Sequence, residues 1–205
     1  MTDVVRANTR PGPVPLVPEI TLRQADEPFA LWERTGDALP FWAFAWAGGQ
    51  ALARYVLDHP AVVAGREVLD LASGSGLVAI AAARAGAAHV TAVDIDPLAI
   101  AAITTNAHAN NVTVTTLAAD VLDEPAIDAD VVLAGDVCYD RAMAARVLPF
   151  LTRAARHATV LVGDPGRAHF PRTGYTALAR YEVPVTGNLE ANDTTPTTVW
   201  QHDRG

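Results

Sequence analysis

Val68-Leu69-Asp70-Leu71-Ala72-Ser73-Gly74-Ser75-Gly76 is an apolar run that passes through an acid and spills into small residues. It reads as a strand that stops in a loop and restarts as a helix. Such a junction leaves unpaired amide N–H groups facing outward, and glycine-like residues let a ligand approach that backbone closely. The stretch therefore predicts a nucleotide-type site on an α/β fold.

The segment Gly74-Ser75-Gly76-Leu77-Val78-Ala79 also satisfies the G-x-G-x-x-(G/A) dinucleotide fingerprint, and Asp94 follows about where a ribose-binding acid belongs. Asp70 separates the two readings. A carboxylate before the loop repels a pyrophosphate but suits a ligand that carries an ammonium group and a sulfonium, as S-adenosylmethionine does. Asp70-x-Ala72-x-Gly74-x-Gly76 resembles the first motif of class I methyltransferases. Alanine replaces the usual glycine at position 72, which implies a backbone φ below zero there.

Outward from this motif the chain alternates regularly. Strands are predicted at 67 to 71, 89 to 93, 112 to 117, 130 to 135 and 158 to 163, and helices at 76 to 85, 97 to 110 and 141 to 156. Alternation of this kind predicts βαβ units and a parallel sheet. After Asp164-Pro165-Gly166, a short helix near Tyr175 and two β-rich runs, 178 to 185 and 197 to 201, predict a terminal hairpin. The expected architecture is a Rossmann-like class I methyltransferase fold: a seven-stranded, mostly parallel sheet with a C-terminal antiparallel hairpin and helices on both faces. On the N-terminal side, Pro11, Pro13, Pro15 and Pro18 make residues 1–18 read as an extended or disordered arm. A strand at 20 to 23, a turn of helix around 29 to 33, an aromatic cluster at 41 to 46 and a helix at 50 to 57 follow. One domain over 19–205 is expected, with an aromatic cap (19–65), a cofactor-binding core (66–164) and a hairpin region (165–205).

Composition narrows the partners. The 205 residues carry a formal charge of −8, which argues against a duplex nucleic-acid binder and favours a cationic partner. No apolar stretch is long enough to span a membrane and no signal-peptide pattern opens the chain, so a soluble, cytoplasmic protein is expected. All fifteen basic residues are arginine, which fits a GC-rich bacterial coding sequence. Cys138, the single cysteine, excludes an internal disulfide and reads as a small buried hydrophobe. The histidines at 59, 89, 108, 157, 169 and 202 lack ligand spacing, and no metal is assigned.

At the second strand's end, Asp94 can accept both ribose hydroxyls while Ile95 lies against adenine; the alternative is that Asp94 caps the next helix. Asp96 before Pro97 is the better cap. Asp120 can accept the adenine amino group or be a plain loop acid. Trp46, Val121 and Gly135 complete the cofactor-binding set, with Asp70, Ala72, Gly74, Gly76, Asp94, Ile95 and Asp120. The chemical end is Gly135-Asp136-Val137-Cys138-Tyr139-Asp140. Asp136 and Tyr139 in one tight turn can both hydrogen-bond an incoming amine, which must be deprotonated to attack a methyl carbon. Alternatively, Asp136 caps the following helix and Tyr139 packs below it. Trp42 and Asp140 are assigned to the substrate side, Trp42 serving either as a wall of the site or as core.

Taken together, Pro40-Phe41-Trp42-Ala43, Trp46 to Leu52, Val68 to Gly74, Asp94-Ile95-Asp96-Pro97, Gly135-Asp136-x-x-Tyr139-Asp140, Gly163-Asp164-Pro165-Gly166-Arg167 and Thr197-Thr198-Val199-Trp200 resemble the electron transfer flavoprotein β-subunit lysine methyltransferases. The resemblance implies S-adenosylmethionine as donor, a protein lysine as acceptor and the flavoprotein β subunit as partner, with the Asp136 to Tyr139 unit near the target amine. A small-molecule N- or O-methyltransferase is the runner-up. A nicotinamide oxidoreductase and a donor-binding module without turnover are the remaining alternatives.

Overall fold

In the computed structural model, which describes residues 1–25, 40–124, 128–171, 173–184 and 194–203, five parallel strands form the centre of a seven-stranded sheet. They are β3 (Glu67–Leu71), β4 (His89–Asp94), β5 (Thr115–Ala118), β6 (Val131–Gly135) and β7 (Thr159–Asp164). The antiparallel pair β8 (Tyr175–Pro184) and β9 (Thr194–His202) joins through β9, giving the order β5-β4-β3-β6-β7-β9-β8. The chain winds outward from β3 to β5, then returns to place β6 on the other side of β3. Open α/β sheets hold ligands at such a reversal.

Each central strand faces two apolar layers. On β6, Val131 and Leu133 point to one cluster, and Val132 and Ala134 to the other. The helices α2 (Ala47–Asp58) and α3 (Leu77–Arg84) cover the first face through Leu52, Val56, Val78 and Ile80, and α4 (Pro97–Ala109) adds Ile103. On the second face, α5 (Arg141–Ala154) packs Val147, Phe150 and Leu151. Strands buried on both faces read as continuous apolar runs, which is why this part of the sequence was legible.

The N-terminal expectation is corrected. Residues 1–18 are not an unstructured arm: α1 (Thr2–Asn8) is followed by a hairpin of β1 (Arg10–Val14) and β2 (Val17–Gln24). Pro11 and Pro13 lie in a two-stranded sheet, where a strand has a free edge and a missing N–H costs little. Val5, Val14, Val17, Ile20 and Leu22 are fully buried. On α4 and at its C-terminal cap, Asn106 and Asn110 accept the backbone N–H groups of Arg23 and Thr21 at 2.9 and 3.0 Å. Asn106 also donates to Ser75 O at 2.8 Å, so one buried amide joins hairpin, helix and glycine loop.

Three boundaries also move. The helix expected near Tyr175 is absent, because that residue opens β8 in register with His202. The strand expected from 112 begins at Thr115, and α2 starts three residues earlier than its apolar spacing indicates. The helical turn expected at 29 to 33 lies outside the described residues.

Candidate active site

The carboxyl ends of β5, β4, β3, β6 and β7 line up along one edge of the sheet and border a cavity of about 520 Å³. Asp120, Asp94, the loop from Ala72 to Ser75, Asp136 and Arg167 follow one another in that order, because each follows or closes successive strands in the sheet. The volume is in the range of cofactor-sized pockets.

Two acids build the loop. Asp70, 1 % exposed, uses Oδ2 to accept the Ser73 hydroxyl and the Ala79 N–H at the start of α3. Burial pushes its carboxyl up to about 7 against those two hydrogen bonds, and the charge of Asp94 adds to the rise. Asp94 accepts Gly74 N–H through Oδ2 at 2.8 Å and Asp96 N–H through Oδ1 at 2.9 Å. Burial raises its carboxyl as well, against the same backbone donors. Asp94 does not cap α4; Asp96 does, accepting from Leu98 N–H, with Pro97 in the first turn. Ile95 presents a 72 % exposed side chain at the cavity edge.

Ala72 contradicts the expected negative φ: it sits at +50°, with Gly74 at +54° and Gly76 at +83°. The loop reverses three times in the left-handed region between strand and helix, and the surrounding tethers from Asp70 and Asp94 hold the alanine there despite its Cβ. Gly76 does not line the cavity; a Cβ there would press on Ile103 at 3.2 Å.

Asp136 at the end of β6 has φ +56° and is 7 % exposed. Its Oδ2 accepts Gly48 N–H from the first turn of α2, and its Oδ1 accepts Arg167 Nε at 3.0 Å and Nη2 at 2.9 Å. Arg167 is held in turn by Asp164, whose Oδ1 accepts the N–H groups of Gly166 and Arg167 at 2.7 and 2.8 Å. Burial pushes Asp164 up to about 6. The helix-capping alternative for Asp136 is therefore set aside. Asp140 fills that position, accepting Met143 N–H at 2.8 Å, and it does not line the cavity. Its assignment to substrate gives way to capping of α5, because α5 begins at the next residue.

The aromatic mouth also differs from expectation. Trp42 is 1 % exposed, packed with Val5, Ala99 and Ala102, so it touches the cavity as a core residue and not as an open wall. Phe41, in a single 3₁₀ turn (Phe41–Ala43), takes the exposed position and stacks on Tyr139 with ring centroids 5.1 Å apart. Trp46 joins it at 5.7 Å and donates its indole N–H to Phe41 O. The Tyr139 hydroxyl is shifted upward by burial and by the charges of Asp140 and Asp94. Cys138 is fully buried, its thiol pushed up to about 12 by burial and by Asp164 and Asp136.

At the β5 end, Val121 lines the cavity, and Asp120 accepts Arg146 Nη1 at 2.8 Å and Leu122 N–H at 3.2 Å. The Arg146 hydrogen bond lowers the Asp120 carboxyl. Gly135 borders the cavity too, but its small size serves α2: a Cβ there would come within 2.9 Å of Gly49 N. Sequence reasoning gave no role to Phe41, Arg146, Arg167 or Ser73. Arg167 lay inside the quoted Gly163 to Arg167 block, so its position was visible while its partner was not.

Fold and site together define an S-adenosylmethionine-dependent methyltransferase of class I. Magnesium protoporphyrin IX methyltransferase from Synechocystis, solved with bound S-adenosylmethionine, superimposes with a TM-score of 0.55 at 15 % identity, over 77 % of this chain and 80 % of its own. The family model of ribosomal protein L11 methyltransferases (PrmA) matches residues 50–138. The electron transfer flavoprotein β subunit lysine methyltransferase of Danio rerio is 40 % identical over 199 residues, covering 92 % of this chain and 77 % of its own. The human protein of the same name is 37 % identical over 198 residues, covering 90 % and 75 %. The chain belongs to the electron transfer flavoprotein β subunit lysine methyltransferase family. Both relatives are animal proteins, which gives the expected bacterial source no support.

Proposed function

We propose that the protein transfers a methyl group from S-adenosylmethionine to the side-chain amine of a protein lysine, with the electron transfer flavoprotein β subunit as acceptor. The observation that carries the reading is the sheet order. It sets Asp120, Ile95 and Asp94 beside the Asp70 loop, and that loop beside Asp136 and Tyr139, along one cavity.

The residues fit the donor. Exposed Ile95 and partly buried Val121 offer an apolar face to adenine. Asp94 keeps acceptor capacity for ribose hydroxyls beyond its two backbone bonds. Asp70 is a buried carboxylate without a cationic partner among the hydrogen bonds that hold it, which an ammonium group would supply. The bound donor supplies a methyl carbon made electrophilic by the adjacent sulfonium.

On the acceptor side, the lysine nitrogen must arrive without its proton, form a bond to that carbon and release the sulfur with the bonding electrons. The amine proton leaves to water through the mouth. The protein's part is orientation, and a well-aligned attack accounts for several kcal/mol of barrier lowering. Phe41, Trp46 and Tyr139 form an aromatic entrance that suits a long alkyl chain ending in an amine.

Incubation with labelled methyl donor and purified flavoprotein β subunit tests this directly. Label on lysine in that subunit, located by mass spectrometry, is the expected outcome; an unlabelled subunit, with label entering only small molecules when host lysate is added, would reject the protein acceptor. The chain contains no lysine, so modification of its own lysine side chains cannot mimic the signal.

A further inference from the structure

We propose that Arg167 is a positioning residue that acts through Asp136: its guanidinium cancels the field of that carboxylate and so keeps the acceptor amine neutral. The inference rests on the reading of this cavity as an amine-methylating site.

A bare carboxylate beside the entering lysine would work against the chemistry. An opposite charge a few ångströms from an amine favours its protonated form, and the protonated form has no lone pair to attack with. Asp136 is not bare. Arg167 contacts its Oδ1 through two nitrogens, at 3.0 and 2.9 Å, and Gly48 N–H occupies Oδ2. The arrangement is over-determined from both sides. Asp136 stands at φ +56°, a costly conformation for a residue with a side chain, and the loop that carries Arg167 is folded back by the two backbone bonds to Asp164.

Among the described residues, the titratable groups named around the pair are acidic. Asp164 ends β7, Cys138 and Tyr139 follow β6, and Asp70 and Asp94 stand across the cavity on β3 and β4; α2 contributes a backbone donor. Among the described residues lining the cavity the remaining arginine is Arg146, paired with Asp120 and Asp123 at the β5 end. Arg167 is therefore the cation that offsets this acidic surround where the amine enters. A guanidinium holds its charge at any working pH.

The test needs no acceptor. Sinefungin is a donor analogue in which a carbon bearing a primary amine replaces the methyl sulfonium, so it carries an ammonium at the position of the transferred methyl, next to where the acceptor nitrogen arrives. Its affinity relative to S-adenosylhomocysteine, measured by calorimetry, reads the field at that point. Arg167→Gln exposes the carboxylate and should tighten sinefungin relative to S-adenosylhomocysteine by about tenfold, the scale of one pKa unit of interaction. Arg167→Lys keeps a cation and should retain the wild-type ratio. Asp136→Asn removes the carboxylate's charge while keeping the guanidinium and should move the ratio by about tenfold the other way. If Arg167→Gln does not fold, the Asp136→Asn shift decides. A ratio unmoved in the folded variants, or moved equally by Gln and Lys at position 167, overturns the inference while leaving the donor site standing. A wild type that binds neither analogue removes the donor site and the inference with it.

Discussion

Asp70 carries the strongest electrostatic consequence of the site. Its carboxyl rises from 3.8 to about 7 on folding, chiefly through burial, so the folded state holds the proton more tightly than the unfolded chain does. Stability from this group is complete below about pH 4 and is lost as pH rises through about 7. Asp164, pushed up to about 6, acts in the same direction over a lower window. The ligand-free protein is therefore expected to melt at a lower temperature at pH 8 than at pH 5, with Asp70→Asn removing part of that difference in scanning calorimetry. At pH 6.5, S-adenosylhomocysteine binding should expel up to about one proton as its ammonium holds Asp70 ionised. Titrations in buffers of different ionisation enthalpy measure that release, and identical heats in all of them would contradict it. Asp70 was legible from sequence because an acid before a small-residue loop has few other uses. The φ of Ala72 was misread because steric preference was applied to the residue alone, while the tethers from Asp70 and Asp94 set the loop's course.

Between elements, the site depends on how closely the first turn of α2 approaches β6 and β7. A Cβ on Gly48 or on Gly163 would overlap the carbonyl oxygen of the other, and one on Gly135 would overlap Gly49. That contact of bare backbones lets Gly48 N–H reach Asp136. Gly163→Ala should therefore cost about 3 kcal/mol or more in urea denaturation, the upper range for overpacking, because backbone lies in the way. It should also weaken acceptor turnover more than donor binding; a variant with an unchanged urea midpoint would show that α2 can retreat freely. None of these glycines stood out in sequence as a packing device. Their contacts join positions 86 and 115 residues apart, and no local pattern encodes them.

For the molecule as a whole, the N-terminal segment closes the core over α4 and the glycine loop. Val5, Val14 and Val17 are fully buried, and each such side chain contributes roughly 1.5 to 3 kcal/mol. Removal of residues 1–18 should thus cost a large part of a domain's stability of about 5 to 15 kcal/mol, seen as insoluble protein or a sharply lower melting temperature. A truncated chain that melts like the full one would restore the unstructured-arm reading. The prolines concealed this segment, since they mark breaks in a central strand yet are tolerated in an edge strand. By itself the sequence determined the alternating βαβ core, the terminal hairpin and the acid-plus-glycine loop, because period-two burial on two faces and the small-residue turn are local constraints written along the chain. Only the tertiary structure decided that Asp140 caps while Asp136 pairs with Arg167, that Phe41 and not Trp42 opens the mouth, and that the first residues cover the core. Each of these depends on which distant groups compete for the same carboxylate, ring face or apolar surface, and that competition exists only once the strands stand side by side.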